Sequence, residues 1–237
     1  MCAAQPAHNA GMARRPRLCL PGHPHLVLQR AAAGVEAFSC ESDYQDYLRR
    51  LADGAQRRGV QVHAWCLLPD AAWLLLTPDD CSGLSALMQQ LARCTSRSRG
   101  VAVWDGRFRA ALLQPGARML HAIAAVDQAA ELQGHAADAT SWRWSSLAHH
   151  SGGRADAVVR EAPEYWALGN TPYAREAAFR GVLAAGDCAR AWPQLRAAAL
   201  AGVAFGDSGF VDAVSRAIGR RPEPGRRGRP RRAAGLG

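Results

Sequence analysis

Lysine is missing from this chain. All 29 basic residues among the 237 are arginine. Alongside abundant alanine and glycine, that absence fits GC-rich coding, so it does not by itself argue for selective arginine chemistry. Long apolar runs are missing too. Stretches such as Ala64–Leu68 and Ala71–Leu76 fall far short of the roughly 20 residues that cross a bilayer, and the N-terminus has no apolar signal core, which excludes transmembrane and secretory readings. The seven cysteines (2, 19, 40, 66, 81, 94 and 188) form no C-x-x-C pair. An odd set without that spacing resembles neither a disulfide framework nor a zinc ribbon; it points to free thiols in a reducing cytoplasm. Disorder is excluded for the bulk of the chain by 49% hydrophobic against 21% charged residues, enough to build one sizeable core.

What is present is an uneven charge. The formal net charge is +9. Residues 220–237 hold seven arginines against the single acid Glu223, a net of +6, leaving only +3 for the rest. A basic run of this kind attracts polyanions by counterion release, so nucleic acid is the first partner to consider, with a solvated solubility tail as the alternative. Arg227-Gly-Arg-Pro230 also resembles the core of an AT-hook, an extended segment that lies in a narrow minor groove.

Periodicity divides the chain. Residues 1–13 are small and polar and are expected to form a disordered extension, with Met12 offering a second start. Leu18–Gln29, broken by Pro21-Gly22 and ending in Leu26-Val27-Leu28, predicts a strand, and Ser42–Arg58 a helix capped by Ser42 with Tyr44, Tyr47, Leu48 and Leu51 on one face. Val60–Leu68 and Ala71–Thr77 predict two strands split by Pro69-Asp70, because proline interrupts any joining helix. Ser82–Ser96 predicts a second helix and Val101–Leu113 a last strand. The order β-α-β-β-α-β predicts an α+β fold of the ferredoxin-like split type, an antiparallel sheet with helices on one face. Ala117–Gln133 predicts a third helix. The predicted domain spans 14–148, followed by a linker at 149–163, a helical C-terminal appendage at 164–219 and a basic tail at 220–237 that is disordered when unbound.

Strings along this order resemble one family. They include Val62-His-Ala-Trp-Cys-Leu-Leu-Pro-Asp70, Leu74-Leu-Leu-Thr-Pro78, Leu87-Met-Gln89, Trp104-Asp-Gly-Arg-Phe-Arg109, Trp144-Ser-Ser146 and Tyr165-Trp-Ala-Leu-Gly169. Together they resemble the REP-associated tyrosine transposases of the single-tyrosine HUH superfamily, whose members cut single-stranded DNA beside hairpins. The resemblance implies two strand histidines that bind Mg or Mn, a nucleophilic tyrosine on the helix after the last strand, and a polar metal-assisting residue one turn later. The matching positions here are Ala71, Trp73, Ala125 and Ala129. Methyl groups and an indole neither ligate a metal nor attack phosphorus, and no tyrosine lies between Tyr47 and Tyr165. The expectation is therefore a degenerate member: no catalytic residue, no metal, and binding without cutting of single-stranded or hairpin DNA, with a homodimer left open.

The expected phosphate contacts are Arg14, Arg15 and Arg17 near the N-terminus, Arg107 and Arg109 alternating with Phe108 on the last strand, and Arg227, Arg229 and Arg231 in the tail. A solvated sheet edge is the alternative for Arg107 and Arg109. Trp73 either plugs the former metal cleft or offers a stacking platform. Trp142, Trp144 and Tyr165 are core anchors or base-stacking rings. His63, His121 and Asp70 are the neighbours that could rebuild a metal-dependent nicking site; otherwise the two histidines are satisfied core or polar residues. His23-Pro-His25 reads as a surface turn, and His149-His150 as solvent-exposed imidazoles. A protein-interaction relic of the fold is the remaining alternative.

Overall fold

The computed structural model describes residues 17–219. Arg14, Arg15, Arg227, Arg229 and Arg231, and the extension and tail expected at 1–13 and 220–237, lie outside the described residues.

The chain runs β1 (His25–Arg30), α1 (Glu41–Arg57), β2 (Val60–Leu68), β3 (Ala71–Pro78), α2 (Cys81–Arg99), β4 (Arg109–Leu113), α3 (Ala117–Asp127), α4 (Ala129–Leu132), α5 (Leu147–His150), α6 (Pro163–Trp166), α7 (Pro172–Ala184), α8 (Asp187–Ala201), β5 (Ala204–Phe205) and α9 (Ser208–Ala217). One five-stranded sheet results, in the order β2-β3-β1-β4-β5. The first four strands pair antiparallel, and β5 joins β4 in parallel.

Local chemistry sets the boundaries. The first strand starts at His25 rather than Leu18, because Pro21-Gly22 forms a turn with Gly22 at φ 69° and Pro24 has no N–H to give a ladder. Cys40, not Ser42, is the N-cap of α1, where Asp43 accepts from the N–H groups of Ser39 and Cys40. Asp80 caps α2 by accepting from the N–H groups of Ser82 and Gly83. The last strand of the predicted core is shorter than expected, since 101–108 turns at Asp105-Gly106 and Asp105 pairs with Arg30. The helix predicted over Ala117–Gln133 breaks at Gln128 into α3 and α4.

Alternation along the strands feeds two hydrophobic cores. On one face, Val27, Trp65, Leu67, Ala72, Leu74 and Leu76 pack with Tyr44, Tyr47 and Leu51 of α1 and Leu84, Leu87 and Leu91 of α2. On the other, Leu26, Leu28, Cys66, Ala71, Trp73 and Leu75 pack with α3 and with Phe179 of α7 and Trp192, Leu195 and Ala199 of α8. The expectation of helices on one face is thus corrected: both faces are covered. The C-terminal segment is no mere helical appendage either, because it supplies the second cover and adds β5 to the sheet. Double-sided burial explains why β3 reads as a continuous apolar run rather than an alternating one.

A disulfide joins Cys19, ahead of β1, to Cys81 at the first turn of α2, with Cα atoms 5.9 Å apart. That pair corrects the reading of these two cysteines as free thiols. Their partners are 62 residues apart, so only the folded chain brings them together. Among the described residues, no helix is long and apolar enough to cross a membrane.

Candidate nucleic-acid interface

Ala71 and Trp73 lie two residues apart on β3, facing α3, with Trp73 opposite Leu28 on one neighbouring strand and Cys66 on the other. Ala125 lies in the buried stretch of α3 that runs from Ala122 to Asp127, Ala129 opens α4, and all four residues belong to the same core. Each is buried. Trp73 is 1% exposed, and its ring centroid lies 4.7 Å from that of Trp192 on α8, so its face is not open to a stacked base. The four side chains offer three methyl groups and an indole N–H, which in Trp73 is buried without a partner. They do not fit Mg or Mn, because neither a methyl group nor an indole N–H offers an oxygen or nitrogen lone pair to a metal. Burial, then the neighbouring Asp127, push the Cys66 thiol far above its ordinary range, which keeps it neutral.

Two residues beyond Ala125 lies a polar network that residue spacing did not reveal. The Asp127 carboxylate, 0% exposed, accepts from the Ser146 hydroxyl and lies 2.7 Å from His150 Nδ1. Ser146 Oγ also accepts from the Trp65 N–H, and the Ser146 N–H donates to the Trp65 carbonyl, so the 144–146 segment is fastened along the edge of β2. Tyr165 donates its hydroxyl to the His150 carbonyl. This corrects the expectation for His149-His150: His150 is fully buried and His149 half-buried. The string Trp144-Ser-Ser146 was the available signal, because a serine required to satisfy a buried carboxylate has a structural reason to be there.

The other candidates are distributed as follows. His63 occupies the bulge in β2 between Val62 and Ala64, with Nδ1 2.7 Å from the Arg160 carbonyl and Nε2 2.9 Å from Thr77 Oγ1. Both its nitrogens are engaged, and burial lowers its pKa, so it is held as a neutral structural group. His121 is half-buried on α3, and Asp70 is exposed with its carboxylate 3.6 Å from His135. His25 is not in a surface turn: it is fully buried in β1, and burial lowers its pKa to about 4. Only His23 lies in the turn. Trp142 donates to the Leu67 carbonyl, Trp144 stacks on Tyr44 at 4.4 Å, and Tyr165 is buried.

The arginines at the start of β4 do come together. Arg107 and Arg109 are exposed on either side of buried Phe108, although Arg107 precedes the strand rather than lying in it. Arg17 lies over the Phe108 ring at 3.8 Å and donates to its carbonyl. Burial, then the charge of Arg107, lower the Arg17 pKa. Neither Arg17 nor Arg107 has a carboxylate partner among the described residues, so two like charges are held near each other uncompensated. Arg109 is committed elsewhere, donating to the Leu200 carbonyl in the last turn of α8, where a cation suits the helix dipole.

No protein-family model matches the chain, and no curated protein matches it. Among solved structures the fold is similar to that of a REP-associated tyrosine transposase bound to a REP hairpin. The TM-score is 0.52 at 14% identity, over 64% of this chain and 93% of that one. At that identity the likeness is one of fold.

Proposed function

We propose that this chain is a DNA-binding protein on a transposase-like fold, a distant relative of the REP-associated transposases that binds hairpin-bearing single-stranded DNA and does not cut it. The ferredoxin-like description of the first four strands belongs to the same reading; the cytoplasmic location, expected from free thiols, is weakened by the Cys19–Cys81 disulfide. The observation that carries it is the closed core at the positions where the resemblance puts metal ligands and nucleophile: Ala71, Trp73, Ala125 and Ala129 are buried together, with Trp192 against Trp73. Removing one member of a catalytic unit already costs orders of magnitude in rate, and here all four positions lack the required atoms. DNA as the partner is supported by the fold's likeness to a transposase bound to a hairpin, by the uncompensated Arg17 and Arg107, and by the arginine-rich sequence 220–237.

The test is fluorescence anisotropy of the full chain with a labelled hairpin carrying single-stranded flanks, beside a duplex of the same composition, across a salt series. Gels of the same samples with Mg²⁺ or Mn²⁺ report nicking. Hairpin-selective binding with intact DNA is the expected result; metal-dependent nicking would sink the non-cutting reading, and equal affinity for duplex would sink the hairpin reading.

A further inference from the structure

A second recognition feature lies at the opposite edge of the sheet. An open cleft of about 520 Å³ is lined by Gln61, His149, Val159, Arg160, Glu161 and Trp166. That volume lies within the range that takes a small organic ligand. It borders β2, three strands away from β4. Since β2 and β4 run antiparallel and Gln61 is near the start of β2, the cleft is roughly 20 Å from Arg109, by strand spacing and rise.

Trp166 is 55% exposed, unusual for the largest side chain, and it is held in place. The Arg175 guanidinium lies 4.0 Å from the indole centroid, and Arg175 is itself buried and donates to the Gly169 carbonyl. One face of the indole is thus propped by a fixed cation while the ring borders open space, the arrangement of a preorganised stacking platform. Arg160 is anchored through its backbone: its N–H donates to the Val62 carbonyl and its carbonyl faces His63 Nδ1. Its exposed guanidinium has no carboxylate partner among the described residues.

Glu161 supplies the acceptor. His149 Nδ1 accepts from the Asp156 N–H, which leaves the ring proton on Nε2, 3.5 Å from Glu161 Oε1. That contact is too poorly aligned to saturate the carboxylate, and Nε2 is buried without a hydrogen bond. An aromatic ring, a carboxylate and a guanidinium lining one cleft match the three parts of a nucleotide: ring, hydrogen-bond donors and phosphate. Guanine is the base that offers two adjacent donors to one carboxylate.

We propose that the cleft formed by Trp166, Glu161 and Arg160 is a nucleotide site that takes a single unpaired guanine, stacked on Trp166 with its donor edge on Glu161 and its phosphate on Arg160. The proposal rests on the DNA-binding reading only for the source of the nucleotide, a strand flanking a hairpin rather than a free monophosphate.

The test uses the full chain and its Trp166→Ala, Trp166→Phe and Glu161→Gln variants. The probes are a hairpin with a flank containing one guanine, the same hairpin with an abasic position there, the bare stem, and dGMP followed by tryptophan fluorescence. Base stacking on an aromatic ring predicts that Trp166→Ala weakens the guanine-flanked hairpin about tenfold and leaves the bare stem unchanged, while Trp166→Phe restores most of the loss. Glu161→Gln, with the Trp166 stack intact, should reduce but not abolish the preference for guanine over the abasic flank. Equal loss on flanked and bare hairpins, or no loss on either, overturns the site while leaving hairpin binding standing. Trp166-dependent quenching by dGMP without any hairpin binding keeps the site and removes the strand as its source. Absence of both signals overturns it.

Discussion

The two faces of the sheet are covered by different means. On the α1/α2 face the helices are amphipathic, with large side chains such as Tyr47, Leu51, Leu87 and Met88 turned inward and charge outward. Glycines set how closely these helices approach: a Cβ on Gly83 would lie 2.6 Å from the Arg58 carbonyl, and one on Gly54 would lie 2.7 Å from a Leu87 methyl. On the other face α3 is buried almost all round, from Ala122 to Asp127, because α6, α7 and α8 enclose it against the sheet. Small alanines line that helix, and it carries a buried carboxylate. The difference teaches that the face where the resemblance puts the chemistry is a closed core, and that the carboxylate buried in it is taken up by hydrogen bonds within the fold.

The comparison is broken most severely at Asp127. Asp127→Ala leaves the fully buried His150 and Ser146 without their shared acceptor and is expected to cost about 3–5 kcal/mol, read as a fall in the denaturant midpoint. A loss below about 1 kcal/mol would show that the network does not fasten this face. Trp192→Ala, which removes the ring packed on Trp73, is expected to cost about 3–5 kcal/mol by opening a cavity, with no gain of nicking activity on the gel. Metal-dependent nicking by this variant would mean that chemistry had only been covered over.

On the α1/α2 face, His25 lies in β1 with the alternation of Val27, and its folded pKa of about 4 sits below the ordinary 6.5. The unfolded chain therefore takes up the proton first. The stability that neutral His25 provides is complete above pH 6.5 and lost as the pH falls toward 4, at about 1.4 kcal/mol per unit. Denaturation curves across that window should show the slope, and His25→Phe should flatten it; an unchanged slope assigns it to other groups. The smallest effect is expected from Gly83→Ala, about 1–3 kcal/mol of overpacking between α2 and the end of α1. Neutral behaviour there would mean that the two helices separate at little cost.

The strands and helices with a strong period were legible in the residues: α1, β2, β3 and α2 fall within a few positions of where the apolar spacing puts them. Boundaries such as His25 and the short β4 were less so, because they depend on backbone hydrogen bonds to distant residues, and the cap at Cys40 because cysteine is not a residue type that signals a helix start. Of the candidate site, the chemical emptiness of Ala71, Trp73, Ala125 and Ala129 was readable from side-chain type alone. The burial of His25 and His150, the Asp127 network and the Trp166 cleft were not, since a histidine or tryptophan reads the same in sequence whether it lies in a core or at a surface.

By itself the amino-acid order determined the periodic elements, the arginine-rich composition of 220–237 and the lack of ligating or nucleophilic atoms at four positions, because these depend on local periodicity and side-chain chemistry. Only the tertiary structure decided that the C-terminal segment covers the second sheet face, that Cys19 meets Cys81, and that Trp73 is sealed by Trp192. Those facts join residues tens to more than a hundred positions apart, and such contacts are set by how whole elements pack, which no local pattern encodes.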